Sequence, residues 1–153
     1  MIPAPEKVCD GGEKTEVSLP KRPNSMPASR TVHIVVVDDD DSFRIATEGL
    51  IRSLGYAVTG YASAEAFLDM RQAQDADCII SDIQMPGMTG IEMKQRLNAE
   101  GHDVAVIFVS AQTDATLPQR IHECGGLILL HKPFHGQVLI DAIHQAVGDM
   151  TTE

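Results

Sequence analysis

Short apolar runs alternate with helix-like stretches from residue 31 onward, and this alternation restricts the fold more than any other feature of the chain. Each run is rich in Val, Ile and Leu and is bounded by turn residues, which is typical of buried parallel strands. The predicted strands cover residues 32–37, 56–60, 77–81, 104–109 and 127–131. Five strand–helix units in succession predict an α/β sandwich with right-handed crossovers.

The stretches between these strands carry apolar residues at helical spacing. They predict helices at 42–54, 63–73, 88–99 and 136–147. The predicted apolar stripe of the first helix consists of Phe43, Ala46, Leu50 and Leu54. That of the second consists of Ala66, Phe67 and Met70, with Ser63 as the N-cap. Pro118 falls inside the stretch 113–124, and proline is tolerated only in a helix's first turn. The fourth helix is therefore predicted to be short and to begin near Leu117.

Polar side chains follow four of the predicted strands where each strand ends. Four consecutive aspartates, Asp38–Asp41, follow the first strand, and Asp82, Ser110 and Lys132 follow the third, fourth and fifth. Because ligands of parallel α/β sheets bind beyond the carboxyl ends of the strands, these groups are expected to share one site. Carboxylates, a hydroxyl and an ammonium together indicate a divalent cation and a phosphoryl group.

The charge and hydropathy of the chain restrict its partners. The chain has 153 residues, enough for one domain with a real core, and a formal net charge of −10. Residues 1–30 hold 5 basic and 4 acidic residues, so the negative charge lies beyond them. That charge repels nucleic acid, and no direct nucleic-acid partner is predicted. The apolar stretches have only strand length and no signal core is present, which predicts no membrane association and a cytoplasmic location.

The two ends of the chain are predicted to lie outside the folded domain. Residues 1–30 contain 5 prolines, few large apolar residues and no periodicity, which predicts a disordered N-terminal tail. The domain is predicted to cover residues 31–148, followed by a C-terminal tail at 149–153.

Several motifs occur in order on this framework. They are Val37-Asp38-Asp39, Asp82 followed by Met85-Pro86-Gly87 and Gly90, Ser110-Ala111, and Lys132-Pro133-Phe134. With them the chain resembles, over about residues 31–148, the receiver domain of bacterial two-component response regulators. The segment 61–68 is most similar to the nitrogen-fixation-regulator subfamily. The resemblance implies the chemotaxis-regulator fold, a flavodoxin-like (βα)5 sandwich whose five parallel strands have the order 2-1-3-4-5.

The resemblance also implies a role for each polar residue that follows the third to fifth strands. Asp82 would be the phospho-acceptor, and Ser110 would donate its hydroxyl to the phosphoryl group. Lys132 would pair with Asp82 at rest and with a phosphoryl oxygen after transfer, and the Lys132–Pro133 bond would be cis. Gln84 and Gln112 occupy positions that tune the loss of the phosphoryl group to water.

A magnesium site is implied at the same place. Asp39, Asp82 and the backbone carbonyl of Gln84 would hold Mg²⁺, with Asp38 acting through water, because this ion prefers hard oxygen ligands. Asp40–Asp41 are also suited to the start of the first helix, where carboxylates favour the positive end of the dipole. The assignment within the run of four remains open by one residue.

The switch region departs from the family pattern. Phosphorylation would draw Ser110 towards the new oxygens and repack the face formed by the fourth helix, fifth strand and fifth helix. Most relatives carry an aromatic residue three positions before the lysine, where this chain has Leu129. The sequence therefore predicts either an unusual output face with weak coupling, or drift at this position with switching intact.

The leading functional prediction is a stand-alone receiver, because the chain ends at Glu153, shortly after the fifth helix. It would accept the phosphoryl group from a sensor histidine kinase or a histidine phosphotransfer protein. It would then signal by protein contacts to a downstream target or by phosphorelay, as a self-catalysed phospho-acceptor rather than an enzyme.

Three alternatives are open. They are the receiver part of a transcriptional regulator without its DNA-binding domain, a phosphate-independent binding module, and a hydrolase of the haloacid-dehalogenase type. The last would use the D-x-D pattern in Asp38–Asp40, but the Lys132-Pro133 motif favours a receiver.

Overall fold

The computed structural model describes residues 31–70 and 75–151, with no side-chain detail for residues 149–151. Its strands are β1 (His33–Val37), β2 (Ala57–Tyr61), β3 (Cys78–Asp82), β4 (Ala105–Ser110) and β5 (Ile128–His131). Its helices are α1 (Asp41–Ser53), α2 (Ala64–Asp69), α3 (Gly90–Ala99), α4 (Leu117–Cys124) and α5 (Gly136–Thr151). The predicted N-terminal tail lies outside the described residues.

All five strands pair in parallel in one sheet, in the order β2-β1-β3-β4-β5. The predicted order 2-1-3-4-5 is thereby confirmed. The middle of β1 pairs on both sides, Val35 with Thr59 of β2 and with Ile79 of β3. After β1 the chain forms the edge strand β2 and then crosses back over β1 to β3, so the direction of strand order reverses between β1 and β3. The carboxyl ends of β1 and β3 thus flank the crevice in which ligands of such sheets bind.

Alternate residues of each strand enter two separate cores, because successive side chains of a strand point to opposite faces. Val35 and Val37 belong to one core, which includes residues of α2, α3 and α4. Ile34 and Val36 belong to the other, which includes residues of α1 and α5. Each fully buried Val or Ile contributes about 1.5–3 kcal/mol of hydrophobic free energy, so both layers hold the sheet firmly.

The predicted stripe of α1 is partly wrong. Ala46 is exposed, whereas Thr47 and Ile51 are buried. The other three predicted residues are half-buried at the sides of the contact between α1 and the sheet: Phe43, Leu50 and Leu54. α1 packs across β1 and the edge strand β2, so Thr47 and Ile51 face the sheet. A pattern of apolar residues cannot reveal that the polar Thr47 lies at the centre of this contact.

The start of α2 is confirmed, because the Ser63 hydroxyl accepts the Ala66 N–H at 3.0 Å. The helix ends at Asp69, and Met70 is 56% exposed, so its assignment to the apolar stripe was wrong. The remainder of the predicted helix, 71–74, lies outside the described residues.

The predicted start of α4 at Leu117 is confirmed, with Pro118 in the first turn, where its missing N–H costs no helical hydrogen bond. α5 extends to Thr151, beyond its predicted end at 147. The segment predicted as a C-terminal tail is therefore helical as far as residue 151. None of the helices within residues 31–70 and 75–151 is long and apolar enough to cross a membrane.

Candidate functional site

The ends of β1 and β3 bring three carboxylates together. Val37 pairs with Ser81, so the residues that follow, Asp38 and Asp82, lie side by side. Oxygens of Asp38, Asp39 and Asp82 lie within 4.8 Å of one another. Asp38 is fully buried, Asp82 is 8% exposed and Asp39 faces solvent. Hard carboxylate oxygens that close together, with one side open to water, suit a small divalent cation such as Mg²⁺.

The structure divides the run of four aspartates into two pairs. The Asp40 carboxylate caps α1 by accepting the N–H groups of Ser42 and Phe43 at 3.0 and 3.2 Å. Asp41 lies in the first turn, as predicted for a carboxylate at the positive end of the helix dipole. Asp38 instead turns inward and accepts the Asp40 N–H at 2.9 Å. The first two aspartates of the run therefore face the site and the last two open the helix.

Lys132 carries the ammonium that faces these carboxylates. Its Nζ lies 3.1 Å from Asp38 Oδ2 and 3.7 Å from Asp82 Oδ2. The predicted pairing with Asp82 is present, and the shorter contact adds Asp38 as a second partner. The Lys132 N–H donates to the Ser110 carbonyl at 2.8 Å, which fixes the end of β5 against the end of β4. The Lys132–Pro133 bond is cis, as the resemblance implied.

The ring of Phe43 lies against the same ammonium and contacts a second ring, that of Phe134. Lys132 Nζ lies 4.1 Å from the centroid of the Phe43 ring, within the range of a cation–π interaction. The Phe43 and Phe134 rings meet edge to face, with centroids 6.0 Å apart and an interplanar angle of 84°. Phe43 was predicted only as part of an apolar stripe, and its contact with the ammonium was not predicted. The sequence feature that could have indicated this contact is the position of Phe43 in the first helical turn after the acidic run.

The surroundings of Asp82 disfavour its charged form. Burial raises the pKa of Asp82 to about 6, and the negative charge of Asp38 acts in the same direction. The positive charge of Lys132 and a hydrogen bond from the Gln84 backbone N–H lower that pKa, but their effect is smaller than the increase caused by burial and like charge. The carboxylate is still mainly ionised at pH 7, although burial and repulsion cost free energy. A cation or any other relief of this repulsion is therefore favoured at the site.

The predicted positions around Asp82 occupy the neighbouring loops. Ser110 ends β4 and is buried, and its hydroxyl oxygen accepts the Gln112 N–H at 3.0 Å. Gln84 lies in the loop after β3 with an exposed side chain, and the ligand role of its carbonyl remains a prediction. Leu129 pairs with Phe108 in the sheet and is half-buried against the core that includes α4.

Gly90 allows the start of α3 to approach the end of β3 closely. Its N–H donates to the Ile83 carbonyl at 3.1 Å. A Cβ at this position would collide with the backbone oxygen of Asp82. The glycine of the quoted motif is thus required by the close contact between two backbones.

The comparison with known protein families agrees with this geometry. The family described as "Response regulator receiver domain" matches residues 34–144. The chain therefore belongs to the receiver-domain family of two-component response regulators. Its relatives include the transcriptional regulatory protein FixJ of Azorhizobium caulinodans, 40% identical over 123 residues, and the response regulator protein TodT of Pseudomonas putida, 30% identical over 120 residues. The match to FixJ supports the predicted nitrogen-fixation-regulator-like subfamily.

These matches cover 80% of this chain and 57% of FixJ, and 78% of this chain and 53% of TodT. The chain thus spans just over half the length of these curated relatives. Among solved structures, response regulator StyR aligns with a TM-score of 0.73 at 35% identity, over 78% of this chain and 60% of that one. A response regulator receiver protein from Burkholderia phymatum aligns with a TM-score of 0.68 at 39% identity, over 77% of this chain and 96% of that one. Receiver domains are signalling phospho-acceptors that generally bind Mg²⁺ in an acidic pocket and interact with histidine kinases.

Proposed function

We propose that Asp82 accepts a phosphoryl group from a phosphohistidine of a sensor histidine kinase or a histidine phosphotransfer protein. The observation that carries this proposal is the pair of buried carboxylates, Asp38 and Asp82, facing the ammonium of Lys132. A carboxylate is a weak nucleophile, and it becomes adequate when nearby positive charge neutralises the incoming phosphoryl oxygens.

The transfer step forms one bond and breaks another. An Asp82 carboxylate oxygen attacks the phosphorus, the P–N bond of the phosphohistidine breaks, and its electron pair stays on the imidazole nitrogen. The product is an acyl phosphate on Asp82 and a free histidine, which takes a proton from solvent. Lys132 would then contact a phosphoryl oxygen as a point charge, and the Ser110 hydroxyl would donate to another.

Asp38, Asp39, Asp82 and the backbone carbonyl of Gln84 would hold Mg²⁺. The three carboxylates fit this ion because their oxygens lie close together and the two buried ones, Asp38 and Asp82, share the ammonium of Lys132. When bound, the ion neutralises charge on the phosphoryl oxygens and on the acidic residues.

The output is proposed to be a protein contact of the face formed by α4, β5 and α5. Ser110 precedes the loop into α4, so its movement towards the phosphoryl group would repack that loop. Leu129 lies on the same face in place of an aromatic residue, and switching there would depend on the loop and not on a ring. FixJ, a transcriptional regulatory protein, supports a second candidate in which the target is a DNA-binding domain of the same polypeptide.

Intact mass after incubation with acetyl phosphate tests the proposal. We expect a gain of one phosphoryl group with Mg²⁺, no gain with EDTA, and no gain in Asp82→Asn. The matched control is Asp77→Asn, which changes the buried carboxylate directly before the same strand and should leave labelling intact. Labelling that persists in Asp82→Asn would refute the assignment. No labelling from acetyl phosphate or from a phosphorylated kinase would favour a phosphate-independent binding module.

A further inference from the structure

We propose that Phe43 is a positioning residue that holds the Lys132 ammonium beside the carboxylates of Asp38 and Asp82 through the face of its ring. The inference rests on the proposed function, since it concerns the lysine that would contact the phosphoryl group. Its contacts, however, exist in the resting protein and can be measured there.

The ammonium is enclosed by three groups. Lys132 Nζ lies 3.1 Å from Asp38 Oδ2, 3.7 Å from Asp82 Oδ2 and 4.1 Å from the Phe43 centroid. The Lys132 side chain is only 19% exposed, although it is long and flexible. The negative face of the aromatic ring attracts the ammonium, as the two carboxylates also do, and this attraction strengthens as water is excluded. The ring therefore limits the positions available to Nζ.

Phe43 is itself held in place from two directions. Its backbone N–H is fixed by the Asp40 cap at the start of α1. Its ring meets Phe134 at 84°, and Phe134 lies two residues after Lys132 on the same loop. Edge-to-face pairs of this kind contribute about 0.5–1.5 kcal/mol beyond their burial. The aromatic contact thus joins the helix that follows the acidic residues to the loop that carries the lysine.

A leucine at position 43 would preserve most of the apolar packing but would offer no negative ring face to the ammonium. Nζ would then lie beside an aliphatic surface, with water as the competing partner, and the lysine would sample more rotamers. Because transfer needs the ammonium near the phosphoryl oxygens at the moment of reaction, this loss of order would slow phosphorylation.

The first experiment measures the position of Lys132 in the resting protein. Lysine Cε protons above an aromatic ring are shifted upfield by the ring current. We expect this NMR shift for Lys132 in the wild type, its loss in Phe43→Leu and its retention in Phe43→Tyr. The control Leu50→Ala, a half-buried residue of the same helix and the same core, should leave it unchanged. The absence of an upfield shift in the wild type would overturn the inference, whatever the fate of the proposed function.

The second experiment measures the rate constant of Asp82 phosphorylation by acetyl phosphate with Mg²⁺. We expect Phe43→Leu to lower it about three- to tenfold, which corresponds to one cation–π contact, and Phe43→Tyr to restore it to within about twofold. Phenylalanine analogues with one, two and three ring fluorines at position 43 keep the shape but weaken the negative face. We expect a graded decrease in rate, and a flat series would show that Phe43 acts only by packing.

The two readouts separate the two claims. An upfield-shifted Lys132 in a wild-type protein that no phosphodonor labels would refute the proposed function and leave the positioning contact established. A labelled wild type whose rate does not respond to Phe43→Leu would refute the positioning role and leave the function in place.

Discussion

Two buried carboxylates lie at opposite ends of β3, and their surroundings differ in kind. Asp77, directly before the strand, is 4% exposed and accepts the His33 N–H at 2.8 Å. Its own N–H donates to the His33 carbonyl, also at 2.8 Å. Asp82, the last residue of the strand, is 8% exposed and faces Asp38 and Asp39 with one ammonium nearby. The Asp77 carboxylate thus accepts a backbone hydrogen bond within a reciprocal pair with His33. The Asp82 carboxylate belongs to a cluster with excess negative charge.

The difference shows that burial of a charged residue does not by itself mark a functional site. At the amino end of the sheet, hydrogen bonds to the carboxylate stabilise its buried position. At the carboxyl end, burial and like charge raise the pKa of Asp82 to about 6, so the fold tolerates an unfavourable arrangement there. Residues held at such a cost are candidates for chemistry, because a ligand that relieves the repulsion is bound more strongly.

The largest effect on folding is expected from Asp77→Ala. Removing this carboxylate leaves the His33 N–H without its acceptor in a half-buried position, which costs about 2 kcal/mol of unfolding free energy. Urea denaturation at pH 7 measures this loss. Asp77→Asn retains an acceptor oxygen and should lose less. Equal stability of Asp77→Ala and the wild type would show that the contrast between the two ends of the strand is mistaken.

Asp82→Asn is expected to change stability in the opposite direction. The pKa of Asp82 is raised from its ordinary value of 3.8 to about 6, so the folded state binds a proton more tightly than the unfolded state. The stability of the wild type therefore falls as pH rises between these two values. In the absence of metal at pH 7, Asp82→Asn should gain about 1–2 kcal/mol, since the amide carries no charge to bury.

Thermal denaturation across a pH series checks this prediction. The gain from Asp82→Asn should shrink as pH falls from about 6 towards about 4, where the wild-type carboxyl is protonated in the folded protein. Adding Mg²⁺ at pH 7 should also reduce the gain, because the ion stabilises only the wild-type carboxylate cluster. A variant less stable than the wild type without metal at pH 7 would contradict the account of the raised pKa.

The smallest effect is expected at the amino end of the sheet from Thr59→Val. The Thr59 hydroxyl and His33 Nε2 lie 2.9 Å apart, and valine keeps the shape of the side chain without the hydroxyl. A single partly buried hydrogen bond contributes about 0.5–1 kcal/mol, so a loss of about 0.5 kcal/mol is expected after the strand preference of valine is included. Urea denaturation resolves this difference. A loss as large as that of Asp77→Ala would show that the side-chain contact of His33, and not its backbone, holds this end of the sheet.

Much of the fold could be predicted because its signals are local. The five strands follow from short apolar runs between turn residues, and the start of α4 follows from Pro118. The buried face of α1 was partly wrong, since Thr47 and not Ala46 faces the sheet. The rotation of a helix about its axis depends on the strands against which it packs, and no local pattern specifies it when a polar residue occupies the centre of the contact.

The sequence by itself determined which chemical groups reach the carboxyl edge of the sheet. Asp82, Ser110 and Lys132 each follow an apolar run, so parallel pairing of the runs places them at one edge. Only the tertiary structure decided which atoms meet. Lys132 contacts Asp38 across 94 positions of the chain, more closely than it contacts Asp82, and its ammonium lies over Phe43. Such contacts depend on strand order, helix rotation and side-chain rotamers together, and these are fixed only when both cores are packed.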